Sequence, residues 1–289
     1  MKEAMFYDTI PDSKNVLCNL CPHYCRIVPD KYGVCGVRKN INGRLYAMTF
    51  EKLSSLSLDP IEKKPLKHFH PGSYILSAGS VGCNLKCPYC QNHTIARGDA
   101  DHSELVTMSS AMLVDKAVGL KKEGNIGIAY TYNEPFIWFE YVYETVMLAK
   151  EFGLKNVLVT NGYVTRKPLE SILPYIDAMN IDLKSYNSDF YKKELNGGLE
   201  EVKETIKESA KKCHVEVTTL VIPGYTDSDK EIEQVAAFLS GISPEIPLHL
   251  TRFFPRYKWS HLEATHLGKL YELSEIARKY LRNVYVGNV

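Results

Sequence analysis

From residue 73 onward, short apolar runs alternate with longer stretches whose apolar positions recur at helical spacing. The runs at 74–78, 126–131, 155–160, 178–182, 214–221 and 247–252 predict strands, and 284–286 predicts a seventh. Helices are predicted over 109–123, 135–151, 199–211, 228–240 and 265–280. In the last of these, Leu267, Leu270, Leu273, Ile276, Ala277, Tyr280 and Leu281 form a stripe that reads as core packing. The strands are continuously apolar rather than alternating, as strands covered on both faces are. Repetition of strand and helix implies parallel strands joined by right-handed crossovers. An open doubly wound sheet and a partial barrel both fit. Residues 1–72 differ in character. Pro22, Pro29, Gly33 and Gly36 interrupt them, 40–46 reads as a hairpin or turn, and 51–72 reads as a proline-broken connection. The expected division is a Cys-rich N-terminal extension and connection, 1–72, followed by an α/β unit, 73–289.

In parallel α/β architectures the chemistry gathers at the C-terminal ends of the strands. The first strand runs into Cys83-Asn84-Leu85-Lys86-Cys87-Pro88-Tyr89-Cys90, with three cysteines in eight residues. Three thiolates on one loop can hold three corners of a cubic iron–sulfur cluster and leave the fourth iron open to a small molecule. A disulfide with a spare thiol, or part of a zinc site, would use the same residues. Thr131-Tyr132-Asn133-Glu134-Pro135 follows the second strand and Thr160-Asn161-Gly162 the third. Asp182-Leu183-Lys184 ends the fourth, Val221-Ile222-Pro223-Gly224-Tyr225 follows the fifth, and Thr251-Arg252-Phe253-Phe254-Pro255 the sixth. Glu134 is either an acceptor for a ligand or a carboxylate at a helix N-terminus ahead of Pro135. Asp182 and Lys184, two apart on an extended run, share a face and form either a ligand contact or an ion pair at the rim.

A second cysteine group lies earlier, Cys18-x2-Cys21-x3-Cys25-x9-Cys35. Four thiols so close can complete a tetrahedral metal site or hold a fully ligated cluster. The short spacings lean slightly to a structural zinc knuckle, and reduced thiols without a ligand role are the third reading. His68 and His70 read as turn residues, His249 as a core histidine, and Cys213 as a small buried apolar residue.

Composition narrows the class. Lys and Arg number 35 against 34 Asp and Glu, a formal net charge of +1, which argues against an extended nucleic-acid partner. No apolar run approaches the roughly 20 residues that span a bilayer. Met1–Asp8 lacks the apolar core of a signal peptide, so a cytoplasmic protein is expected. In that compartment the chain's eight cysteines favour metal binding over disulfides.

The spacing C-x3-C-x2-C with Tyr89 before its last cysteine resembles the radical S-adenosylmethionine (SAM) enzymes. Gln91-Asn92 is similar to the pyruvate formate-lyase activating enzyme branch. Asp59-Pro60-Ile61-Glu62-Lys63-Lys64-Pro65-Leu66 and the N-terminal cysteines resemble the radical SAM proteins of the AmmeMemoRadiSam system. The resemblance covers nearly the whole chain. It implies a partial (β/α)6 TIM-type barrel with a [4Fe-4S] cluster on Cys83, Cys87 and Cys90. The implied reaction is reductive cleavage of SAM to a 5′-deoxyadenosyl radical that abstracts a hydrogen. The hydrogen would come from a glycine backbone in a partner enzyme, or from an unidentified protein or small molecule. The electron would come from a donor such as flavodoxin or ferredoxin.

The resemblance also assigns residues. Glu134, with Asn133 and Thr131, would meet the SAM amino group near Thr160 and Asn161. Asp182 and Lys184 would meet its ribose and carboxylate, and Arg252 its carboxylate or an acidic substrate. Tyr89 and the Val221–Gly224 turn would border the adenine. There are departures from the family. Relatives usually carry Gly-Gly-Glu where Tyr132-Asn133-Glu134 stands, and a histidine where Tyr257 stands. The activating enzymes carry a cation-binding aspartate where Val159 stands, so a monovalent cation site is expected to be altered or absent. Similar proteins often run further, with another cysteine pair, so a truncated C-terminus is expected. Two other classes compete: an iron–sulfur electron carrier without SAM chemistry, and a zinc-stabilised interaction module.

Overall fold

The apolar runs lie side by side in one eight-stranded sheet in a computed structural model that describes residues 1–289. Its strands are β1 (Ser55–Pro60), β2 (Tyr74–Gly79), β3 (Asn125–Tyr130) and β4 (Lys155–Thr160). β5 (Ala178–Asp182), β6 (His214–Val221), β7 (Leu248–Arg252) and β8 (Val284–Gly287) complete it. β2 to β8 are parallel and neighbour one another in chain order, whereas β1 runs antiparallel beside β2, with Ser55 opposite Gly79. β1 and β8 are the two unpaired edges, so the barrel is open, as expected of a partial barrel.

Six helices return the chain between these parallel strands. They are α1 (Ser110–Gly119), α2 (Phe139–Glu151), α3 (Arg166–Ile172), α4 (Leu199–Ala210), α5 (Asp229–Ser240) and α6 (Leu267–Arg278). Serine caps start two of them: Ser109 accepts from the Met112 N–H, and Ser228 from that of Glu231. The helices press apolar faces onto the sheet. Val146 and Ala149 of α2, Ile232 and Val235 of α5, and Leu270 and Leu273 of α6 are all buried. No helix is long and apolar enough to cross a membrane.

Two expectations need correction. Residues 51–72 are not merely a connection, because β1 forms there and ends at Pro60 on the edge of the sheet, where a missing N–H is tolerated. α3 was not predicted; it is short and contains Pro168.

The N-terminal segment folds into small antiparallel sheets of its own, one of them holding the hairpin Arg38–Ile41/Arg44–Ala47. Its turn is Asn42-Gly43, both at positive φ, as a tight two-residue hairpin turn requires. Arg38 and Glu140 of α2, both buried, form a 2.8 Å ion pair that ties this segment to the barrel.

After β1 the chain crosses the barrel near the N-terminal ends of its strands. Asn180 donates to the Pro65 carbonyl at 2.8 Å, and the Lys67 and His68 N–H groups donate to Glu216 at 3.0 and 2.7 Å. His68 reaches Tyr285 of β8 at 2.5 Å, so this strap joins one edge of the open barrel to the other. Glu216 also meets His214 at 2.9 Å and His249 at 2.6 Å. Burial alone would raise its carboxyl, but the two histidines and two backbone donors outweigh burial and bring it down to about 2. His249 is therefore a satisfied core histidine, and His68 belongs to the strap.

Candidate active site

At the opposite end of the strands, a cavity of about 280 Å³ gathers residues from six of the strands, β2 to β7. Cys83, Cys87 and Cys90 line it, together with Tyr89, Thr131, Asn133, Glu134, Thr160, Asn161, Asp182 and Lys184. Of the predicted site, Arg252 and the Val221–Gly224 turn lie elsewhere; Arg252 donates to the Thr265 carbonyl at 2.8 Å and stacks over Phe254. Its neighbour Thr251 lines the cavity instead, because adjacent strand residues face opposite ways. Thr218, Leu220 and Arg97 also line it and were missed. For the first two, the two-residue repeat counted back from the end of β6 was the signal that could have found them.

The cysteine loop is held on several sides. Asn133 accepts from the Ser80 N–H at 3.0 Å and donates to the Val81 and Gly82 carbonyls. The Pro88 carbonyl accepts from the Lys258 and Trp259 N–H groups at 2.9 and 3.3 Å, so the segment after β7 clamps the loop after β2. Tyr257 stacks on His93 at 4.6 Å in the same clamp. Gly82 has φ +83 and is so close to Cys35 that a Cβ would lie 2.5 Å from that residue's carbonyl oxygen, which leaves only glycine comfortable there.

Tyr132 and Asn133 stand where the relatives carry glycines, and both side chains are committed within the protein. Tyr132 adopts φ +72, an outlier for a bulky residue, and donates its hydroxyl to Asp59 at 2.8 Å. Asp59 lies 2.8 Å from buried Lys64. Although burial opposes it, the Lys64 and Tyr132 bonds hold its carboxyl well below the usual range.

Glu134 is 2% exposed and caps the turn beginning at Pro135. It accepts from the Phe136 N–H at 3.0 Å, the Thr160 hydroxyl at 2.7 Å and the Asn161 N–H at 2.8 Å. Burial still raises the carboxyl to about 7 against those three donors. Its cap role and its cavity position coexist. Asp182 and Lys184 lie 2.9 Å apart across the cavity wall. Burial depresses the lysine, but Asp182 and the Cys87 sulfur more than offset that and hold it above its ordinary value.

The donor set suits a cluster with an open corner. Three thiols border the cavity and no fourth does. Cys83 Sγ receives the Leu85 N–H at 3.4 Å and Asn161 Nδ2 at 3.6 Å, the donors a thiolate ligand uses. The buried Tyr89 hydroxyl and Arg97 Nε have no protein partner, which leaves polar groups for a bound molecule. Nowhere do three His, Cys, Asp or Glu side chains gather as ligands of a single ion would. The lean to zinc at Cys18, Cys21, Cys25 and Cys35 is therefore unsupported. Thiolates of a cubane each bind a different iron and need not converge on one point. A larger hollow of about 770 Å³ lies beside His68, His214 and Lys207 near the strap; its single cysteine is Cys213.

Residues 78–239 match the model of the radical SAM superfamily, from the end of β2 to α5, the region that supplies all but Thr251 of this cavity's lining. The chain belongs to the radical SAM superfamily. Membership implies a [4Fe-4S] cluster and SAM. An uncharacterized protein of Methanocaldococcus jannaschii is 42% identical over all of this radical SAM chain and 86% of its own. The indoleacetate decarboxylase activating enzyme of Tractidigestivibacter scatoligenes is 24% identical over 66% of this chain and 62% of its own. The pyruvate formate-lyase-activating enzyme of Clostridium pasteurianum is 26% identical over 56% and 67%. Among solved structures, a radical SAM methyltransferase from Sphaerobacter thermophilus shares the fold with a TM-score of 0.59, at 15% identity over 76% of this chain and 67% of that one.

Proposed function

We propose that this radical SAM enzyme is an activating-type enzyme that abstracts hydrogen from a polypeptide, with a glycine backbone of a partner protein as the favoured source. The observation that carries the reading is the three-thiol cavity bordered by a buried carboxylate and an ion pair, in a chain whose relatives include enzymes named as activating enzymes. When bound, a [4Fe-4S] cluster with an open corner supplies the electron that cleaves SAM to methionine and a 5′-deoxyadenosyl radical.

In this reading Cys83, Cys87 and Cys90 hold the cluster. Glu134 accepts from the SAM amino group. Thr131, Thr160 and Asn161 border the same corner, and Asn161 also steadies the Cys83 sulfur. Asp182 accepts from ribose hydroxyls while Lys184 offsets the SAM carboxylate. Tyr89 presents its ring and unpartnered hydroxyl to the nucleoside. The clamp over Pro88 helps to keep water from the reacting atoms. A one-electron donor of the flavodoxin or ferredoxin class would serve as reductant.

The test is anaerobic reconstitution followed by dithionite-driven SAM cleavage. Wild-type protein should release 5′-deoxyadenosine, and Cys87→Ala should lower the rate to background. Cleavage unchanged in Cys87→Ala, or none in a fully loaded wild type, would remove the assignment. A pure electron carrier would cycle its cluster without forming 5′-deoxyadenosine.

A further inference from the structure

The N-terminal cysteines form a second cleft that the superfamily match, which begins at residue 78, does not cover. Cys18, Cys21, Cys25 and Cys35 line it together with Arg38. Arg38 is 1% exposed. Its Nη2 donates to the Met5 carbonyl at 2.6 Å and to Glu140 at 2.8 Å, whereas Nε and Nη1 have no partner. A buried guanidinium with idle donors is costly unless something anionic meets them. Glu140 balances its charge, and the carboxylate's own Oε2 is likewise unpartnered; the four thiols line the same cleft as the guanidinium and are the other anionic groups within its reach.

We infer that these four thiols hold a second metal centre, fully ligated and anionic, and that Arg38 is its buried counter-charge. Four thiolates around zinc(II) or around an oxidised [4Fe-4S] core leave a net charge of about minus two, which a guanidinium can offset through N–H···S contacts.

This centre packs directly against the catalytic loop. His23, between Cys21 and Cys25, bonds the Asn84 carbonyl at 2.7 Å. The backbone of Cys35 lies against Gly82. Filling the second site would therefore brace the loop that carries Cys83.

Metal and sulfide counting on fully reconstituted wild type tests the site without any variant. About eight irons, or about four irons with one zinc, would support it and distinguish the two sources. About four irons and no zinc would overturn it. Cys21→Ser/Cys25→Ser should lose only the second complement, whereas Cys87→Ala should lose only the first, so this inference and the proposed function fail separately. Arg38→Met/Glu140→Met removes both charges, a change buried pairs often tolerate, although Met5 loses its bonds to both side chains; full loading of the first centre reports that the variant folds. It should load the second centre severalfold less while the first stays full. Full loading of both centres in that variant would overturn the counter-charge role.

Discussion

Glu134 does two jobs that pull its proton affinity in opposite directions. Three donors favour the carboxylate, but burial wins and raises the group to about 7 from an ordinary 4.5. A carboxyl raised in the folded state contributes stability below its unfolded value and loses it as pH rises through the folded one. Glu134 should therefore weaken the ligand-free protein between about pH 4.5 and 7. Glu134→Gln loses an acceptor at every pH but has no such slope. Thermal melts of the unloaded variant should approach or overtake those of wild type as pH rises from 5 to 8. A constant gap across that range would refute the raised affinity. Tyr132 is the other informative residue. Its left-handed backbone is strained, and strain in a bulky residue persists only where its surroundings fix it. Here Asp59 holds the hydroxyl, and the Asn92 side chain holds the carbonyl at 2.8 Å. Tyr132→Phe should cost about 1–2 kcal/mol in urea unfolding, because it leaves one buried carboxylate oxygen short of a donor.

At the scale of elements, the two cysteine loops meet at Gly82. Gly82→Ala would combine a left-handed φ with a Cβ 2.5 Å from the Cys35 carbonyl. The cost should be at least ~1–2 kcal/mol in chemical unfolding, and the variant should load fewer irons at the Cys83 loop. The parallel strands were legible because long apolar runs between helical stretches admit few other arrangements. β1 was not, because Pro60 and its neighbouring charges mimic a linker until β2 offers it an edge. At the site, Asp182 and Lys184 were legible because both share one face of a strand end. Arg252 was assigned inward although it sits one residue from Thr251, and a single step of strand parity reverses a side chain. The Asp59–Lys64–Tyr132 network joins residues 73 positions apart, so no local pattern announces it.

Across the whole molecule, an open barrel must be kept from unrolling, and the Glu216 network does this from below. Glu216→Ala would strand His249 and two backbone donors in a buried space, at a cost of roughly 3 kcal/mol or more. Because the folded carboxyl lies near 2 against an ordinary 4.5, its contribution is full above about pH 4.5 and fades as pH falls toward 2. Acid unfolding of wild type should therefore steepen in that window, and the variant should lack this step. An unchanged acid profile in the variant would count against the network.

The strap lies near the N-terminal ends of the strands, and the cavity lies at the other end beside the cysteine loop. A polypeptide resting there would act as a stopper in the same doorway through which spent nucleoside must leave. If a partner protein supplies the hydrogen and docks over that doorway, SAM has to be seated before it.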